Sequence, residues 1–245
     1  MLETKNNIWL VLLLLIGLCL ACSSDGETDE ANKKADEANV SGQNQKAEEA
    51  LANSGKEDYD KAIADLSKAI EIDPQNAEFY FRRGTAYYIK KDFDKATADY
   101  SKAIEINPQY ENAYYQRGLV YFNKQDNDKV IVDLSKSIEI NPQRENAYLL
   151  RGLAYFNKKD NDKAIADLSK AVEINPQAAP AYLNRGIAYA AKKDYEKAIA
   201  DYSKAIEINP QGATAYQARS ESYRTTGKKD LADADEKKAK ELGYK

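Results

Sequence analysis

Five arginines, Arg83, Arg117, Arg151, Arg185 and Arg219, recur every 34 residues, and each is followed 16 residues later by an aspartate: Asp99, Asp133, Asp167, Asp201 and Asp235. A planar guanidinium and a carboxylate can grip each other through a two-pronged, charge-assisted hydrogen bond; alternatively, the arginines can line a site for anions. Four of the arginines directly precede a glycine, at Gly84, Gly118, Gly152 and Gly186. A cation partly buried beside a glycine needs a partner, so the spacing predicts an Arg–Asp pair within each repeat. Other chemistry is scarce. The chain has no histidine, and its two cysteines, Cys19 and Cys22, end an N-terminal apolar run, so the repeats hold neither imidazole nor thiol. Acid pairs such as Asp92 and Asp94 recur at polar turns, where solvated charge is the ordinary outcome. No catalytic residue, metal site or cofactor is read from the sequence, and no enzymatic activity is expected.

The elements that position these charges are helices. In residues 77 to 110, Tyr80, Arg83/Gly84 and Tyr87 define one face of a helix from Glu78 to about Ile89. Ala96, Tyr100 and Ala103 define the stripe of a second, from about Phe93 to Ile106, with Lys90-Lys-Asp92 as the turn between them. Asn107-Pro108 ends the second helix, because proline lacks an amide hydrogen and disfavours helical geometry in the residue before it. Asn-Pro-Gln closes the next three units at Pro142, Pro176 and Pro210, with Asp73-Pro74-Gln75 one period earlier; Pro180 falls in a first helical turn, which tolerates it. A helical hairpin this small cannot bury its own apolar face, so a fixed 34-residue period means that copies stack until they share a core.

The spacing of Tyr80, Gly84, Tyr87, Ala96, Tyr100, Ala103 and Pro108 is similar to the tetratricopeptide repeat pattern. The resemblance implies an all-α fold, a right-handed α-solenoid of about six helical hairpins, at 43–76, 77–110, 111–144, 145–178, 179–212 and 213–245. The end units depart from the pattern as caps do. Ala50 and Ser220 replace the glycine, Lys46 and Asn53 replace the first unit's tyrosines, and Glu236 takes the last unit's Tyr100 position amid the charges of Asp233, Asp235, Lys237, Lys238 and Lys240.

Ahead of the array, Ile8 to Ala21 is an apolar stretch of 14 residues, short of the roughly 20 that span a bilayer and suited to a signal peptide. Its Leu-Cys-Leu-Ala-Cys ending resembles the lipobox of bacterial lipoproteins, which implies cleavage before Cys22, lipidation of that cysteine and tethering in the bacterial cell envelope. Residues 23 to 42 are polar and read as a spacer.

In the family, the face of the first helices that is not used for packing lines a concave groove. Here its columns are Glu78, Phe81, Thr85 and Tyr88; Asn112, Tyr115, Leu119 and Phe122; Asn146, Leu149, Leu153 and Phe156; and Pro180, Leu183, Ile187 and Ala190. An aromatic and aliphatic groove, with asparagines at 112, 146, 123 and 157 as hydrogen-bonding points, predicts a protein or peptide partner with apolar anchors and argues against a carboxylate clamp. The same aromatic side chains could instead fill space between successive first helices. With 36 Lys and Arg against 40 Asp and Glu, the chain has no cationic excess for nucleic acid. The expected function is a non-enzymatic, membrane-tethered interaction scaffold; the alternatives are a carbohydrate-binding or enzyme-accessory lipoprotein, or a self-assembling structural protein.

Overall fold

The computed structural model describes residues 56–244. The signal peptide, Cys22, the spacer and the leading helix of the first unit lie outside the described residues. The described chain forms eleven helices and, among the described residues, no strand: α1 Lys56–Ile72, α2 Ala77–Ile89, α3 Phe93–Ile106, α4 Glu111–Asn123, α5 Asn127–Ile140, α6 Glu145–Asn157, α7 Asn161–Ile174, α8 Ala179–Ala191, α9 Tyr195–Ile208, α10 Ala213–Thr225 and α11 Lys229–Glu241. The helices expected at 78–89 and 93–106 are α2 and α3.

Two turns alternate along the solenoid, and each is written into its residues. Within a hairpin the first helix ends in a left-handed residue: Lys91 (φ 62), Gln125 (φ 60), Lys159 (φ 63) and Lys193 (φ 64), with Gly227 (φ 79) in the last unit. Around Lys91 the amide of Asp92 reaches the Tyr87 carbonyl, and that of Lys91 reaches Tyr88, a doubly bonded helix ending that satisfies carbonyls otherwise left without partners. The next residue already caps the following helix, since the Asp92, Asp126, Asp160 and Asp194 side chains accept from the amides of Lys95, Lys129, Lys163 and Lys197. One residue thus closes one helix and opens the next, which holds the hairpin to a fixed angle. Between hairpins, the extended Asn107 ends α3, and its side chain accepts from the Gln109 amide at 3.0 Å; Asn141, Asn175 and Asn209 repeat the device.

The helices pair in sequence, α2 with α3 and α3 with α4 onward to α11, so each second helix is gripped on both sides. The first helices α2, α4, α6, α8 and α10 also touch in succession and form one wall. The core is a set of small-residue columns. Ala96, Val130, Ala164, Ala198 and Ala232 are buried, as are Ala103, Ser137, Ala171, Ala205 and Ala239. The helical glycines let α2 and its counterparts approach the second helix: a Cβ on Gly84 would stand 2.9 Å from the Tyr100 ring, and one on Gly186 2.6 Å from the Tyr202 ring.

Candidate functional site

All five predicted Arg–Asp pairs are formed. Arg83 Nε donates to Asp99 Oδ2 and a second guanidinium nitrogen to Oδ1, both at 2.8 Å. Arg117 with Asp133, Arg151 with Asp167, Arg185 with Asp201 and Arg219 with Asp235 repeat the fork at 2.7 to 2.9 Å. The aspartates are buried, and the bond to Asp99 raises the Arg83 guanidinium further above its already high range. The remaining nitrogen donates to a serine 16 residues earlier, on the second helix of the preceding hairpin: Ser67, Ser101, Ser135, Ser169 and Ser203, at 2.9 to 3.2 Å. Each arginine is therefore a rivet between hairpins as well as a clasp within one. Sequence reasoning did not anticipate this serine, although it recurs two residues after Asp65, Asp99, Asp133, Asp167 and Asp201. The guanidinium also lies over the tyrosine three residues earlier, 5.5 to 5.9 Å from the ring centre in all five units. With all three guanidinium nitrogens bonded inside the fold, these arginines tie the hairpins together.

The concave columns divide. Phe81, Thr85, Tyr88, Leu119, Asn146, Leu153, Phe156, Leu183 and Ile187 are half-buried, and Asn112 is exposed. Tyr115, Phe122 and Leu149 are instead buried, at 4%, 8% and 1% exposure. Their expected place on an open groove is corrected: these three fill space between neighbouring elements. For Tyr115 the cover is Arg144, whose guanidinium stacks 3.9 Å from the ring centre while pairing with Glu111 and donating to Asn112 Oδ1 at 2.6 Å. Phe81 has a counterpart in Tyr110, with ring centres 5.0 Å apart; desolvation and the bond its hydroxyl makes to Glu78 both push the Tyr110 phenol upward.

Tyr110 and Arg144 are the last residues of their inter-hairpin turns, a column absent from the sequence-based site. Its later members are Ala178 and Gly212. The outermost residue of each first helix follows the same trend, from Tyr88, Phe122 and Phe156 to Ala190. Phe122 is buried whereas Tyr88, Phe156 and Ala190 are half-buried. Burial along the concave columns is therefore greatest in the middle, at Tyr115, Phe122 and Leu149, with half-buried side chains toward either end.

The asparagines are partly committed inside the protein. The Asn123 side-chain amide donates to the Tyr88 hydroxyl at 3.0 Å and to the Leu119 carbonyl at 2.9 Å, and that of Asn157 donates to Asn127. Asn146 makes no hydrogen bond through its side chain among the described residues. The tyrosines beside the hairpin turns are engaged as well, since Lys95, Lys129, Lys163 and Lys197 sit 5.1 to 5.3 Å from the ring centres of Tyr87, Tyr121, Tyr155 and Tyr189.

Comparison with known proteins places this arrangement. The Tetratricopeptide repeat pattern matches residues 111–144 and 179–211, and the TPR repeat pattern matches 56–91, 84–125 and 153–193. Among curated proteins none matches significantly. Among solved structures, the chain is similar to the MamA protein, at 30% identity and a TM-score of 0.65 over 68% of this chain and 91% of that one. It also resembles YrrB, described as a TPR protein with an unusual peptide-binding site, at 22% identity and a TM-score of 0.65 over 73% of this chain and 92% of that one. A further likeness is to pilF of Pseudomonas aeruginosa, at 17% identity and a TM-score of 0.70 over 82% and 91%.

Proposed function

Since the chain belongs to the tetratricopeptide repeat family, whose members serve as interaction scaffolds, we propose that it is a non-enzymatic scaffold of the bacterial cell envelope, lipid-anchored through Cys22, whose concave face holds a peptide segment of another protein. The observation that carries this reading is the run of half-exposed apolar side chains on successive first helices, Leu119, Leu153, Phe156, Leu183 and Ile187, set on a frame riveted by the Arg–Asp–Ser contacts. A wall of apolar anchors held in place by these contacts favours binding of an extended or helical segment. A peptide is favoured over a sugar polymer, because the tyrosine columns that would serve a sugar lie beneath arginine and lysine cations. Peptide binding by the structural relative YrrB, as its description states, is in keeping with this.

The test is affinity capture of the full-length protein from its native membranes, in parallel with a Leu153→Ser/Phe156→Ser/Ile187→Ser variant, with mass spectrometry of the captured proteins and of the N-terminal peptide. A partner lost from the variant, together with acylated Cys22, is the expected result. An unmodified N-terminus would remove the anchor, and a partner set indifferent to the substitutions would move binding off the groove.

A further inference from the structure

Toward the C-terminal end of the concave row, a largely buried tyrosine has a hydroxyl without an internal partner. In α3, the Tyr100 hydroxyl donates to Thr85 at 3.3 Å. Its equivalent three units later is Tyr202, only 2% exposed, but the position of Thr85 is there held by Ile187, which cannot bond to it. The Tyr202 oxygen makes no hydrogen bond with any described residue, yet it is not walled in. The next member of the Thr85 column is Glu221, close enough for its negative charge to add to burial in raising the Tyr202 phenol. Glu221 accepts from the Gln217 amide at 3.0 Å and forms no ion pair among the described residues. Arg219 and Arg224, the cations on either side of Glu221 in sequence, are held by Asp235 and by Glu236 and Asp233 respectively, so the local balance stays negative.

Above these two acceptors, the columns that close the groove upstream have lost their bulk: Gly212 stands where Tyr110 and Arg144 lie, and Ala190 where Tyr88, Phe122 and Phe156 lie. The half-buried Leu183 and Ile187, beside these small residues, make an apolar strip in register with the Glu221 carboxylate and the Tyr202 phenol. Resting on the groove reading above, we propose that this strip forms a trough for an arginine or lysine side chain of the partner segment, with its aliphatic stem across Leu183, Ile187 and Ala190 and its cationic head donating to Glu221 and the Tyr202 hydroxyl. A long apolar stem with a charged tip is the side-chain shape such a trough complements. An apolar anchor would leave the Tyr202 hydroxyl without a partner and Glu221 with the Gln217 amide alone, and an acidic one would meet Glu221 at like charge.

The experiment uses the full-length protein in detergent micelles and a library of amidated nonapeptides, random except for a fixed central residue. Peptides centred on Arg or Lys are expected to bind best, and replacing Arg by citrulline to weaken them about tenfold, the effect of losing a charge-assisted bond. Glu221→Gln should abolish that preference. Ala190→Phe should fill the trough and weaken all basic peptides, whereas Tyr202→Phe should weaken them a few-fold without lowering the melting temperature, since its hydroxyl has no internal bond to lose. If peptides bind but Arg and citrulline bind alike, or Glu221→Gln changes nothing, the basic-residue pocket is wrong while the groove stands. If no peptide in the library binds, the groove reading itself fails, and this inference with it.

Discussion

The arginine at the end of each Tyr-x-x-Arg-Gly phrase has most of its surroundings made for it: a carboxylate in front, a serine from the neighbouring hairpin beside it and a tyrosine ring along its plane. The Arg117 and Asp133 side chains retain 18% and 3% of their exposure, so neither charge has ready recourse to water. The free energy at stake lies less in forming the pair than in orphaning one half of it. Asp133→Ala should therefore lower stability by about 2–4 kcal/mol, whereas the double change Arg117→Met/Asp133→Leu should recover most of that loss. Equilibrium urea unfolding of the two variants checks this; equal losses would mean that the pair itself, not the orphaned charge, carries the energy. Internal order at this scale also explains why Tyr115, Phe122 and Leu149 are not available to a partner.

At the scale of the element, the tight hairpin turn makes two demands that the sequence meets unequally. The left-handed residue suits glycine, but among the described hairpin turns only the last provides one, Gly227; lysine or glutamine holds the position in the others. Lys159→Gly should stabilise the array by up to about 1 kcal/mol, the relief of left-handed strain less the extra freedom of an unfolded glycine, read as a rise in thermal midpoint. The aspartate that follows is better matched. The Asp126 carboxyl is held below its ordinary value near 3.8 by the Lys129 ammonium and then by the Lys129 amide. A depressed carboxylate contributes stability that is present above its unfolded value and lost as pH falls through its folded one. Asparagine can still cap but cannot ionise. Asp126→Asn should thus melt below the wild type at pH 7, and the gap should close or reverse as the pH falls below about 4; a gap constant with pH would show that the lysine contact contributes nothing.

For the whole molecule, the consequence of the repeat is that every joint is the same joint. The serine that receives each arginine recurs in register at 67, 101, 135, 169 and 203, so any second helix can receive any following hairpin. Deleting residues 145–178, one full period, places Arg185 against Ser135 and should leave a folded, cooperatively melting solenoid of lower midpoint. Deleting 33 residues instead shifts every downstream contact by one position and should not fold. Circular dichroism melts of both deletions test the point. The last unit departs from this register: the next serine position after 203 is Lys237, whose ammonium would repel an incoming arginine, and Glu236 stands where the preceding second helices carry Tyr or Leu. A lysine where a donor needs an acceptor discourages another copy from extending the stack.

Helix boundaries, turn positions and the Arg–Asp clasps were legible in the residues alone, because each depends on contacts within one period: the Asn-Pro stop, the small residues facing each other across a hairpin, and a fixed separation of 16. The 34-residue interval likewise determined that the chain is a solenoid. What only the tertiary structure decided is which side chains of the concave columns remain open. That depends on cover from the next unit, by Arg144 over Tyr115 for instance. Repetition hides such differences, since a column read as a pattern records what its members share, whereas accessibility is set by how each differs from its neighbour. The unmatched Tyr202 hydroxyl follows the same logic. It is one phenol in a repeated place, distinguished by the isoleucine that stands in the adjoining unit position where Tyr100 finds a threonine.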